Sequence, residues 1–248
     1  MLTAYVSAGP NPRKITILLE ELGIEYKWKL VDGYKGEHKQ PEYLAVNPNG
    51  RLPALHDSDG DLVLWESGAI LQYVAEKFGR FLPSSGPERY HTLKWLFFQC
   101  THAPYLGNAH LYRVLYDEPR PFEIKRFTIE SERIYKVLEE QLAKEPYVAG
   151  KEYSIADMAW YPWIQYHEWQ GQDLRKFPSI AAWFSNIGER PAVKAGVVIP
   201  WGIDGYGDSE RGRKVRQAVE QNLKDPRFQL EASEDDSAVK HTAASRRA

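Results

Sequence analysis

The chain is poor in the side chains that most often carry chemistry: one cysteine, Cys100, and seven histidines among 248 residues. A single thiol excludes an internal disulfide framework and a cysteine-rich metal site. His102, His110 and His167 are spread too widely to argue for a metal. No apolar run approaches the roughly 18 residues that a membrane-spanning helix needs, and the N-terminus lacks the basic segment and apolar run of a secretory signal. The formal net charge is -2, so no global field favours nucleic acid or an anionic membrane. These absences lead us to expect a cytoplasmic protein with no metal, no nucleic acid and no membrane partner. Aromatic residues are abundant, with eight Trp and fifteen Tyr, enough to fill a core and to line an apolar cleft.

The pattern changes along the chain. Residues 2–7 read as a strand, followed at once by a helix with Ile15, Leu18, Leu19 and Leu22 on one stripe and Arg13, Lys14, Glu20 and Glu21 off it. Strand patterns follow at 26–31, 54–57 and 62–65, the last two joined by a turn at 58–61. A short segment at 41–45 and a helix at 66–78 complete the order β-α-β-α-β-β-α. Beyond a linker rich in Gly, Pro and Ser, only helical patterns occur, at 88–116, 122–143, 154–169 and 179–189. Residues 204–248 turn polar; 211–223 can form a docked helix through Val215, Val219 and Leu223, with a disordered remainder. The expected organisation is an α/β domain at 1–79, a linker at 80–87, an all-α domain at 88–203 and an extension at 204–248.

Three stretches carry candidate chemistry. In SAGPNPRK, Asn11 followed by Pro12 reads as a helix start, with Asn as cap and Pro in the first turn. An anion beside that helix end would meet backbone N–H groups, the macrodipole and the Asn11 amide. In RLPAL, Pro53 stands where a strand begins. It is either an ordinary trans edge proline or a cis proline that presents the backbone of Leu52 to a peptide-like ligand. In WESG, Glu66 and Ser67 open a helix. They either cap it, or they recognise the ammonium and carboxylate of an amino-acid head group.

VSAGPNPRKITILLEELGIEY, GEHKQPEYLAVNPNGRLPAL and LWESGAILQYVAEKF, in that order and spacing, resemble the glutathione-binding domain of the cytosolic glutathione transferases. The Nu class and the fungal group related to the nitrogen-regulator prion protein are the most similar. SIADMAWYPW resembles the capping-box helix of the family's C-terminal domain. The resemblance covers about residues 1–200 and implies a thioredoxin-like domain followed by a helical bundle. It also implies a homodimer with glutathione as co-substrate. The reactive sulfur would belong to the ligand, so the protein needs no cysteine of its own. Asn11 matches the position that meets the thiol, with Ser7 and Tyr5 as competitors at the end of the first strand. His38 matches the contact to the glycine carboxylate, Leu52 before Pro53 the backbone contact to the cysteine portion, and Glu66 with Ser67 the γ-glutamyl contacts. Much of the Nu class has Thr two residues before the Asn; Gly9 stands there in this sequence.

Function follows as an expectation. The protein is a glutathione transferase directing a thiolate at an apolar electrophile, with glutathione-dependent disulfide reduction or aromatic ether cleavage as alternatives. A non-catalytic regulatory protein is the rival of another class. The Asn/Gln-rich N-terminal segment of the fungal regulator is missing before the first strand, which weighs toward an enzyme. Phe97, Tyr105, Asn108, His110 and Tyr112 are the expected second-substrate pocket, while Cys100 is expected to be packed away from the thiol site.

Overall fold

The structure, a computed structural model, describes residues 1–202 and 210–230. Strand β1 (Leu2–Val6) buries alternate residues Leu2, Ala4 and Val6. It pairs in parallel with β2 (Tyr26–Leu30), Leu2 opposite Tyr26. On its other side it pairs antiparallel with β3 (Ala54–Asp57), Tyr5 opposite Ala54. Strand β4 (Leu62–Trp65) pairs with β3 and completes the order β2-β1-β3-β4. Parallel neighbours need a crossover, and α1 (Pro10–Leu22) makes it. The short α2 (Pro41–Leu44) and α3 (Ser67–Phe78) finish a thioredoxin-like α/β domain in the element order read from the sequence.

An all-helical bundle follows. It contains α4 (Gly86–His110), α5 (Pro121–Leu142), α6 (Ile155–Ile164), α7 (Pro178–Gly188) and α8 (Pro191–Val197). The pattern expected to run to 116 ends in a π-helical turn at Leu111–Leu115. The helix expected to reach 169 stops at Ile164 and gives way to tight turns, with a 3₁₀ segment at Glu168–Gln170. No sequence pattern announced α8, whose seven residues are too few to show a period. Helix α9 (Glu210–Asn222) docks Val219 against Val114, as its spacing suggested. Arg113 holds the segment after it, donating to the carbonyls of Phe228 at 2.9 Å and Leu230 at 2.8 Å. Residues 224–230 therefore belong to the packed structure, whereas the disorder expected beyond residue 230 lies outside the described residues. No helix among the described residues is long and apolar enough to cross a membrane.

Helix α1 departs most from its sequence pattern. Arg13 and Lys14, off the apolar stripe, are each 1% exposed. The stripe of α1 packs on the sheet side, and its other face is covered by α6 and α8. The α8 crossing is close: a Cβ on Gly196 would lie 2.7 Å from the Cα of Ile17. Thr16 Oγ1 donates to the Gly196 carbonyl at 2.7 Å. Arg13 donates to Tyr166 Oη at 2.7 Å and to the Gly202 carbonyl at 3.0 Å. Farther along α1, Glu21 takes a bidentate pair from Arg190 at 2.6 and 2.8 Å.

Helix α6 is buried on every side, and Ser154 and Asp157 form its reciprocal capping box. Asp157 accepts from the Ser154 N–H at 3.0 Å and its hydroxyl at 3.1 Å. It also accepts from the Val148 N–H and from Trp183 Nε1, both at 2.9 Å. A cap alone is worth about 1 kcal/mol. Asp157→Ala also strands buried donors on Val148 and Trp183, so the expected loss is roughly 3 kcal/mol or more. Thermal unfolding checks this: a fall in Tm of roughly 6–12 °C is expected for a chain of this size. A fall of only about 2–4 °C would mean that the cap is the whole contribution.

Candidate active site

A cavity of about 620 Å³ lies between the two domains. The α/β side contributes Ser7, Gly9 and Asn11 from the β1–α1 junction, His38, Leu52 and Pro53 before β3, and Glu66 and Ser67 at the start of α3. The helical side contributes Cys100, Ala103, Pro104, Gly107 and Asn108 from α4 and Trp163 from α6.

The start of α1 differs from the expected cap. Gly9 is the N-cap, at φ 123°, and Pro10 takes the first helical position, so Asn11 is the second helical residue. Both prolines suit the first turn; only glycine readily adopts that φ, and this selects the earlier start. Pro10 and Pro12 carry no N–H, so the orphan donors among residues 10–13 reduce to Asn11 and Arg13. The Asn11 side chain is half-buried, and its Oδ1 accepts from Trp163 Nε1 at 3.1 Å. Ser7 is buried, and its hydroxyl accepts a long bond, 3.5 Å, from the Gly33 N–H.

The Leu52–Pro53 peptide is cis. The backbone N–H and C=O of Leu52 have no hydrogen bond among the described residues, which leaves a short length of strand edge facing the cavity. Glu66 is exposed at φ 77°, a conformation a non-glycine residue rarely holds. Strained backbone of this kind gathers at ligand sites. Ser67 follows as the first residue of α3, with its hydroxyl accepting from Lys14 Nζ at 3.2 Å. An ammonium only donates, so the Ser67 proton is free for another acceptor.

Residues 8–77 match the glutathione S-transferase N-terminal domain family and residues 118–191 its C-terminal domain. The disulfide-bond oxidoreductase YfcG of Escherichia coli is 40% identical over 198 residues, covering 77% of this chain and 92% of that protein. The chain belongs to the glutathione S-transferase family. Glutathione S-transferase 2 of Schizosaccharomyces pombe is 36% identical, over 78% of this chain and 93% of that one. Among solved structures, a family member from Pseudomonas fluorescens with two glutathione bound superposes with TM-score 0.74. It is 33% identical over 80% of this chain and 93% of that one. The transferase URE2P6 of Phanerochaete chrysosporium, in complex with oxidized glutathione, gives TM-score 0.73 and 35% identity over 89% of this chain and 97% of that one.

In this glutathione S-transferase the aromatic residues singled out in the sequence are scattered. Asn108 borders the cavity, whereas Phe97, Tyr105, His110 and Tyr112 do not. Phe97 and Tyr105 are 58% and 39% exposed on α4. Tyr112 stacks on Phe127, with ring centroids 5.5 Å apart. The helical wall is instead built from small α4 residues together with Trp163 of α6, which no aromatic count on α4 reveals.

Cys100 on that wall and Lys14 on α1 are among the lining residues that the sequence reading did not assign to the site. Cys100, expected to be packed away, is half-buried beside Gly68, where an added Cβ would come within 2.7 Å of its sulfur. Lys14 also reaches the cavity and donates to Ser67 and Gln99. Burial lowers its pKa to about 8, against the opposing pull of Cys100 and Glu66. No group of three or more His, Cys, Asp or Glu that could hold a metal ion occurs among the described residues.

His110 lies behind the wall, its ring stacked at 5.8 Å on Trp163. Burial pushes its pKa down to about 3. The unfolded chain therefore binds a proton at this imidazole from about pH 6.5 downward while the folded chain does not. The stabilisation is complete above about pH 6.5 and is lost as the pH falls toward the folded value. Urea unfolding of wild type and His110→Gln should give a stability difference that is constant above about pH 6.5. Below it, the difference should shift toward the variant by about 1.4 kcal/mol per pH unit. A difference that stays constant down to pH ~4.5 would show that the buried ring accepts a proton in place.

Proposed function

We propose that the chain binds glutathione by its peptide part and holds the thiolate at the start of α1. The observation that carries this reading is the convergence of two helix N-termini, the unpaired Leu52 backbone and the strained Glu66 on one cavity. Glu66 pairs with the γ-glutamyl ammonium, and the Ser67 hydroxyl and N–H take its carboxylate. Leu52 pairs with the cysteine portion as an added strand does. His38 meets the glycine carboxylate, and the Asn11 amide donates to the sulfur. The solved relatives with two glutathione molecules or with oxidized glutathione bound support the ligand class.

A free thiol titrates near ~8.5. Lowering this by two units takes about 2.7 kcal/mol. The helix terminus and one hydrogen bond to an anion supply that order of magnitude. The thiolate attacks an apolar electrophile positioned between the domains, forming a carbon–sulfur bond while a leaving group departs from that carbon with its bonding electron pair, as an anion that water can protonate. Disulfide reduction is the second reading. In it, one glutathione thiolate attacks a disulfide and a second glutathione completes the exchange, giving glutathione disulfide and two reduced thiols. The disulfide-bond oxidoreductase relative favours it. We also infer a homodimer. Tyr90, Phe97 and Tyr105 form an exposed stripe on α4 at spacings of seven and eight residues, and such a stripe suits a second copy.

Calorimetry and pH profiles test the assignment together. Glu66→Ala should weaken glutathione binding roughly ten- to a hundredfold, the range of a lost hydrogen bond to a charged group. His38→Ala should cost less, because its contact is at the exposed end of the ligand. Asn11→Ala should leave glutathione bound, raise the bound thiol pKa and depress kcat/KM near neutral pH, with partial recovery at high pH. Ser7→Ala is the control with the smaller effect. An unchanged profile in Asn11→Ala, with collapse in Ser7→Ala, would transfer the thiolate to the serine.

A further inference from the structure

We propose that Trp163 is a positioning residue that decides which end of the Asn11 amide meets the ligand sulfur; this rests on Asn11 being the thiolate partner. An asparagine side chain can turn either its oxygen or its NH₂ toward a ligand. Only the NH₂ stabilises an anion, and the oxygen would repel one. The two orientations have nearly the same shape, so packing alone does not choose between them. A hydrogen-bond partner with one fixed polarity does.

The indole N–H of tryptophan donates and cannot accept. Trp163 Nε1 lies 3.1 Å from Asn11 Oδ1, so the amide oxygen is claimed from the helical side. The Asn11 NH₂ must then point elsewhere. It has no hydrogen-bond partner among the described residues, and Asn11 borders the cavity. At this contact the helical domain acts on the ligand through Asn11. It sets the polarity of a group 152 positions earlier in the chain.

Trp163 is itself held with fixed polarity. Its backbone carbonyl, an obligatory acceptor, takes the Gln170 NH₂ at 2.7 Å. That bond identifies the nitrogen end of Gln170, whose oxygen accepts from Tyr135 Oη at 2.7 Å. The same NH₂ lies 2.9 Å from His110 Nε2, which must therefore accept, placing the His110 proton on Nδ1. The His110 ring then stacks on the indole at 27° between planes. Residues from α4, α5, α6 and the turn after it form one buried network that ends at the Asn11 amide. The backbone carbonyl of residue 163 fixes the donor and acceptor ends of Gln170 and His110, and the indole N–H fixes those of Asn11.

The test is a double-mutant cycle read by pH profile. Trp163→Phe keeps an aromatic ring and removes the N–H. It should lower kcat/KM at pH 6.5 roughly three- to tenfold, the range of one neutral hydrogen bond, and raise the bound thiol pKa by about 0.5–1 unit. Binding of S-methylglutathione, which has no thiol, should stay within about twofold. In an Asn11→Ala background the same Trp163→Phe change should have no further effect on the profile. If the variant does not fold, benzothienylalanine at position 163, which exchanges only the N–H for sulfur, makes the same comparison.

Three outcomes overturn the proposal. An unchanged thiol pKa in Trp163→Phe, with a raised one in Asn11→Ala, removes the positioning role alone. Equal losses on both backgrounds, with weakened S-methylglutathione binding, make Trp163 a packing residue. A wild-type profile in Asn11→Ala removes the thiolate assignment beneath it.

Discussion

Helix α1 is packed on both sides, by the sheet on one and by α6 and α8 on the other, and the site depends on that double contact. A crossover helix in an α/β unit needs only one buried face. Here the second face is gripped along its length: at Gly196 where backbones nearly touch, at Thr16 and Arg13 through hydrogen bonds, and at Glu21 through the Arg190 fork. A helix held in this way cannot tilt or slide, so its first turn stays fixed relative to the opposite wall. Stabilising an anion by oriented dipoles requires such preorganisation, because dipoles that must first reorient give back much of what they gain.

Contacts around α1 also explain the buried cations, Arg13 on the side of α6 and α8 and Lys14 against the start of α3 and against α4. Arg13 and Lys14 lose solvent, a cost that only good hydrogen bonds offset. Arg13 recovers it through Tyr166 and the Gly202 carbonyl. Lys14 recovers it through Ser67 and Gln99, and so joins the first helix, the start of α3 and the bundle at one ammonium. Asn11 and Ser67 share a feature: each amphoteric group is met from behind by a donor, Trp163 in one case and Lys14 in the other. Both are thereby left with a proton to give to the cavity, which suits a ligand carrying carboxylates and a thiolate.

Much of this could be read from the residues. The β-α-β-α-β-β-α order followed from alternation and turn chemistry, and the Ser154–Asp157 box was implied by the resemblance of SIADMAWYPW to the family's capping-box helix. The motifs around Asn11, Leu52, Glu66 and Ser67 named the stretches that the fold brings to one cavity. Other features had no local signal. Periodicity reports one buried face, so the burial of Arg13, against residues 153 and 189 positions later, and of Lys14, against residues 53 and 85 positions later, was invisible. Two prolines in PNP each fit a helix start, and only the Gly9 conformation chose between them. Aromatic richness on α4 suggested a pocket, but Phe97 and Tyr105 face outward and Gly107 and Asn108 form the wall. Trp163 was one of several aromatics on α6; its bond to Asn11 is a tertiary fact.

The central claim is that this cavity binds glutathione as a thiolate at the N-terminal end of α1. The most direct measurement is a pH titration of thiolate absorbance for glutathione bound to the wild-type protein, against free glutathione in the same buffer. The account predicts a bound thiol that titrates about two units below the free value near ~8.5. Glutathione that binds tightly but titrates at its free value would contradict it.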